Sequence, residues 1–299
     1  MIIPQKMNFG DSIGIISTAR KITRKELRPA VEILESWGLK VIFGKFLYEE
    51  NNQFSGTVDQ RVVDLQNMIN DSSIKAVLFA RGGYGTVQVI EKVNFSKLRE
   101  NPKWIIGYSD ITVLHSHLHQ LGFATLHATM PINFSKNSKA SLLSIKQAIF
   151  QVGNIIESTP HQFNRLGKVQ SEVVGGNLSV LYSLLGSRSD LDPSGKILFI
   201  EDLDEYLYHV DRMVINMKRN GKFENLKAMI IGGMTDMNDN PIPFGKNAEE
   251  IILTYTEEYT FPICFGFPSG HLDDNRALIL GVASELDINE NGVSLSQYL

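Results

Sequence analysis

The chain has 299 residues, room for two domains of ordinary size, and 43% of them are hydrophobic, enough for a substantial core. Its formal net charge of -4 reflects no excess of Lys and Arg, which argues against nucleic-acid phosphates or an anionic membrane surface as partners. A lone cysteine, Cys264, allows neither an intramolecular disulfide nor a thiolate zinc cluster, and its place in "FPICFGF" predicts a buried core thiol.

The first residues, "MIIPQKMNF", offer only a brief apolar run broken by Pro4 and Lys6, so neither a secretory segment nor a spanning helix is expected and the expected compartment is the cytoplasm. From residue 11 short β-branched runs alternate with amphipathic stretches: "SIGIIST", "RKELRPAVEILESWG", "LKVIFG", "DQRVVDLQNMIN", "IKAVLFA". That alternation is the pattern of βαβ units and predicts a parallel sheet. In the first helix Leu27, Val31, Ile33, Leu34 and Trp37 gather on one broad face, and Gly38 follows as a C-cap glycine. The pattern continues through "KWIIG", a helix after Ser109, "FATLHA" and a helix near 139–150, giving an N-terminal α/β domain over 1–155. The stretch "ESTPHQFNRLGK" has neither periodicity and reads as part of a linker over 156–170. Residues 171–299 form a second domain with the apolar runs "KILFIE", "KAMIIGGM", "FPICFGF" and "ALILGV" and a helix in "YLYHVDRMVINMKRNG". "ELDINENGVSLS" alternates about Asn291-Gly292, a pair favoured in type I′ hairpins, so this sheet is expected to be mixed.

Ligands of open α/β sheets gather beyond the carboxyl ends of the strands, and two such corners stand out. "VLFARGGYGT" sets Arg81, Gly82, Gly83, Tyr84 and Gly85 directly after a strand, where backbone N–H groups can approach an anion. The spacing is not that of a dinucleotide or P-loop fingerprint, because Gln88 stands where the third glycine belongs and no G-K-[ST] follows. "WIIGYSDIT" sets Ser109 and Asp110 on a strand-to-helix turn. They are either N-caps for the helix over 111–121 or the exposed nucleophile corner of an α/β hydrolase, whose next N–H donates to the oxyanion. His115 and His119 share a helix face but have no third metal ligand beside them. His271, in a loop after "FPSG", is placed to act as a base, and Glu201, where "KILFI" runs into "EDLDEY", to orient it. That carboxylate cluster is equally consistent with a solvated helix start or a divalent-cation site.

Taken together, "ARGGYG" (80–85), "IIGYSD" (105–110), "VVGGNLSVL" (173–181), "FIEDLDEYLYHVDRMV" (199–214) and "FGFPSGHLDDNRALILG" (265–281) resemble the L,D-carboxypeptidase family of serine peptidases, which includes the microcin-C immunity peptidases. The resemblance covers nearly the whole chain in the family's order. It implies a flavodoxin-like or Rossmann-like N-terminal domain, a C-terminal mixed-sheet domain, a homodimer and no cofactor or metal. It also implies a triad of Ser109, Glu201 and His271, with the N–H groups of Asp110 and Gly83 as oxyanion donors. The implied substrate is a cytoplasmic murein tetrapeptide losing its terminal D-alanine. Arg81, together with Gly82 and Tyr84, is a candidate for holding the substrate, although tying down the glycine loop would serve Arg81 equally well. A peptidyl-nucleotide antibiotic is the alternative substrate, for which Tyr206 and Tyr208 could line a base pocket, and a non-catalytic peptide binder is the alternative of another class.

Overall fold

The computed structural model describes residues 1–151 and 153–298. Two sheets organise the chain. The first has six strands in the order Leu278–Leu280, Thr125–His127, Trp104–Gly107, Ile74–Phe79, Ser12–Ile16, Lys40–Phe43. All neighbours run parallel except the first pair, where Leu278–Leu280 lies antiparallel to Thr125–His127. Counting only its five N-terminal strands, the spatial order is that of flavodoxin-like sheets, 2-1-3-4-5, and it directs the loops after four adjacent strands to one edge. The helix Arg24–Ser36 begins in a capping box made by Thr23 and Glu26 and buries Leu27, Ala30 and Leu34 against this sheet.

The second sheet has the order Ile263–Cys264, Ala228–Thr235, Ile197–Leu203, Gly167–Asn177, Ala283–Asn289, Gly292–Gln297, Asn154–Ser158. Gly167–Asn177 is its pivot, pairing antiparallel with Ala283–Asn289 through its first half and parallel with Ile197–Leu203 through its second. The sheet is therefore mixed.

Three expectations shift in detail. Asn154–Ser158 and the residues from Gly167 onward are strands, so the irregular connection inside the expected 156–170 linker is only 159–166. Isolated alternation over five residues is too short to register by eye when its partner, Gly292–Gln297, lies far along the chain. The C-terminal hairpin closes at Asn289 opposite Gly292, so Glu290 and Asn291 make the turn, one residue earlier than the Asn-Gly pair suggests. That register sets Ile288 opposite Val293 and Leu286 opposite Leu295, four buried side chains on one face. Finally, "ALIL" leaves the second domain and becomes the edge strand of the first sheet. Cys264 is buried among apolar side chains, and burial pushes its thiol up to about 12. No helix among the described residues is long and apolar enough to cross a membrane.

Candidate active site

Ser109 follows the buried strand Trp104–Gly107 and adopts φ +61°, a left-handed conformation that costs a non-glycine residue about 1–3 kcal/mol unless its surroundings impose it. Neither Ser109 nor Asp110 caps the helix Thr112–Gln120, whose N-terminus has no side-chain cap. Asp110 faces instead into the first domain, where its carboxylate accepts from the N–H and the hydroxyl of Thr86 at 2.9 and 2.7 Å. The nucleophile corner and the glycine loop are thereby bound to each other. Within that loop Gly83 has φ +112°, and a Cβ there would lie 2.8 Å from the Arg20 side chain. Its N–H makes no hydrogen bond to another backbone group among the described residues. Gly82 packs so near that a methyl group on it would come within 3.3 Å of Ser109 Oγ.

Glu201 lies in the strand Ile197–Leu203, at a point where pairing with Ala228–Thr235 slips between Ile200 and Asp202. Such irregularities re-aim side chains. Its Oε2 accepts from His271 Nδ1 at 2.6 Å and from the His271 N–H at 3.2 Å. The preceding Gly270 has φ +108°, and a Cβ there would sit 2.7 Å from Glu201 Oε2, so only glycine lets the turn approach this closely. The turn is fastened from below: Gly233 N–H donates to Ser269 O, Thr235 Oγ1 to His271 O, and Gly270 N–H to Asn275 Oδ1. Tyr108 stacks obliquely on the imidazole, ring centroids 4.7 Å apart.

Electrostatics follow from this burial. Desolvation disfavours the charged forms of both partners, but the His271 charge, the nearby His127 imidazole and the His271 hydrogen bond together outweigh it at Glu201, whose pKa is lowered. Burial likewise pulls His271 down while the Glu201 carboxylate pulls harder the other way, so its pKa is raised. Asp202 is pushed up to about 7, first by burial and then by the neighbouring Glu201 charge.

Ser109 and His271 open onto one cavity of about 640 Å³ between the two domains. No hydrogen bond joins Ser109 Oγ to His271 among the described residues; such links are often loose in an unliganded site and tighten around substrate. Arg20, Arg81 and Gly82–Gly83 line the cavity from the first sheet's loops, and Asn177, Asp202, Asp204 and Glu205 from the second domain. Arg81 donates from its guanidinium to Lys21 O at 3.1 Å, which ties down the start of the glycine loop, and it also lines the cavity. Tyr84 is half exposed and lies outside that lining, against Phe54.

The four carboxylates of "EDLDE" part company. Glu201 meets His271, Asp202 accepts from Asn177 Nδ2 and Ser179 N–H, Asp204 accepts from Asn238, and Glu205 pairs with His209. His115 has both ring nitrogens engaged, with Thr125 Oγ1 and Gly107 O, and His119 reaches Glu172. Arg20, Asn177 and Asp202 were not singled out from the sequence. Arg20 ends "ISTAR" just beyond a strand's carboxyl end, the same position that draws attention to Arg81.

A two-domain α/β protein with a strained serine at a sheet's carboxyl edge and a His-Glu pair from the second domain is the class that fold and site define. Its residues 13–128 match the LD-carboxypeptidase N-terminal domain and residues 170–286 the LD-carboxypeptidase C-terminal domain. The chain belongs to the LD-carboxypeptidase family of serine hydrolases. It is 35% identical over 296 residues to the probable murein peptide carboxypeptidase of Bacillus subtilis, covering 96% of this chain and 92% of that one. It is 28% identical over 288 residues to the murein tetrapeptide carboxypeptidase of Pseudomonas aeruginosa, covering 93% of each. The crystal structure of muramoyltetrapeptide carboxypeptidase from Oxalobacter formigenes superposes with a TM-score of 0.89 at 23% identity over 96% of this chain and 99% of that one, a likeness of fold.

Proposed function

We propose that this protein is a serine L,D-carboxypeptidase that removes the terminal D-alanine from murein tetrapeptides in cell-wall recycling, acting in the cytoplasm as a homodimer. The observation that carries the proposal is the strained corner at Ser109 opening onto the same cavity as a histidine held at 2.6 Å by a buried glutamate. Ser109 Oγ attacks the carbonyl carbon of the scissile peptide bond while His271 Nε2 takes its proton. Glu201 holds the Nδ1–H and stabilises the imidazolium that forms. The N–H groups of Asp110 and Gly83 receive the oxyanion. His271 then returns the proton to the leaving amine, D-alanine departs, and water hydrolyses the acyl-enzyme by the same route reversed. A carboxypeptidase must hold a free carboxylate, and the cationic wall formed by Arg20 and Arg81 beside the glycine loop suits that group.

The test is release of D-alanine from purified murein tetrapeptide by the wild type and by Ser109→Ala, each with and without EDTA. The wild type is expected to release it equally in both conditions, and the variant to lose activity by at least about 10⁴-fold. An inactive wild type on every murein peptide would move the peptidyl-nucleotide substrate ahead, and a chelator-sensitive wild type would overturn the serine mechanism.

A further inference from the structure

One carboxylate oxygen in the site lacks a partner. Glu201 Oε2 is occupied twice by His271, whereas Oε1 is fully buried and makes no hydrogen bond among the described residues. The nitrogen it faces, His127 Nε2, is 4.0 Å away and is likewise buried without a partner. Two orphaned polar atoms buried side by side are costly unless they serve each other.

His127 is the last residue of the strand Thr125–His127 and is wholly inaccessible to solvent. It pairs in register with Gly107, two residues before Ser109, so the topology that carries the serine to the sheet edge carries this imidazole beside it. Phe199 at 4.9 Å and Tyr108 at 5.9 Å, both packed edge-on, fix the ring plane. The other nitrogen, Nδ1, lies 3.5 Å from Ser269 Oγ, whose own proton goes to Arg276 O at 2.9 Å. A proton on Nε2 meets a carboxylate; one on Nδ1 meets only a neutral hydroxyl and leaves two lone pairs opposed at Glu201. Charge decides for the Nε2–H tautomer.

We infer that His127 is a positioning residue for the site, its Nε2–H directed at Glu201 Oε1 so that the carboxylate stays ionised and rotationally fixed while its other oxygen holds His271. The inference rests on the proposed roles of Ser109, Glu201 and His271. It also gives the first sheet a hand on an acid that belongs to the second, so that both domains contribute to orienting the base.

Two isosteric variants separate a donor from a space-filler. In His127→Gln the side-chain amide reaches the position of Nε2; in His127→Asn it reaches only that of Nδ1. The readouts are kcat and KM for D-alanine release, thermal unfolding, and the rate at which a fluorophosphonate labels Ser109, which needs no knowledge of the substrate. His127→Asn is expected to lower kcat and labelling by roughly 10- to 100-fold with KM within about twofold, and His127→Gln to restore both to within about fivefold of wild type. Equal losses in the two variants, or wild-type labelling by folded His127→Asn, would overturn the role of His127 alone. If His127→Asn does not fold, His127→Gln at less than a tenth of the wild-type labelling rate would do the same. A wild type that the probe does not label at Ser109 would overturn the nucleophile assignment, and this inference with it.

Discussion

At the scale of single residues, the site depends on how burial and charge compete at one imidazole. In the proposed mechanism His271 must be neutral to accept the serine proton, so kcat/KM is expected to fall on the acid side as His271 becomes protonated. Because the Glu201 carboxylate raises the His271 pKa against the pull of desolvation, that acid limb is expected above the ordinary histidine value of about 6.5. Glu201→Gln removes that charge and leaves burial opposed only by the weaker pull of Asp202, which moves the limb to lower pH. It also permits the wrong tautomer, and kcat is expected to fall by roughly 10³- to 10⁴-fold. A pH–rate series on both proteins checks the sign; a limb that stays where it was would show that the pair is not coupled in this way.

Elements matter here through their ends. The loop from Phe267 to Leu272 brings His271 to Glu201 only because Gly270 turns with positive φ where any Cβ would strike the glutamate. Gly270→Ala is therefore expected to strain the turn by about 1–3 kcal/mol, lowering Tm by roughly 2–5 °C, and to cut kcat at least tenfold as the His-Glu distance opens. Calorimetry together with steady-state kinetics tests this, and a variant of wild-type Tm and activity would show that the loop yields freely. The opposite corner is built by the same logic, with Asp110 clamping Thr86 so that the glycine loop stays packed beside Ser109.

For the molecule as a whole, the two sheets are not independent units. The strand Leu278–Leu280 pairs with the first sheet, yet Ile279 packs in one core while Leu278 and Leu280 pack in the other. Its outer backbone edge is closed by the fully buried Gln297, whose amide donates to Ile279 O at 2.8 Å and whose carbonyl accepts from Ile279 N–H at 2.9 Å. Unfolding is expected to be a single calorimetric transition. Gln297→Leu, which strands both Ile279 backbone groups, should cost about 2–5 kcal/mol and lower Tm without splitting the peak. Two separated transitions in the wild type would mean that the crossing strand does not couple the halves.

The alternation of strands and helices in the first half is legible in the residues alone, because each βαβ unit writes its periodicity locally, and so are the positions of Ser109, Glu201 and His271, each beside a Gly or Pro signal or at a strand end. The family resemblance then joined the three into one proposed site. Relations between residues distant in the chain emerge only on folding: the pairing of Asn154–Ser158 with Gly292–Gln297, the return of "ALIL" to the first sheet, the contribution of Arg20 to the cavity, and the approach of His127 to Glu201. A histidine ending an apolar strand looks the same in sequence whether it fills a core or orients an acid. Its partner stands 74 positions away on another sheet, and no local period records a contact made across a domain interface.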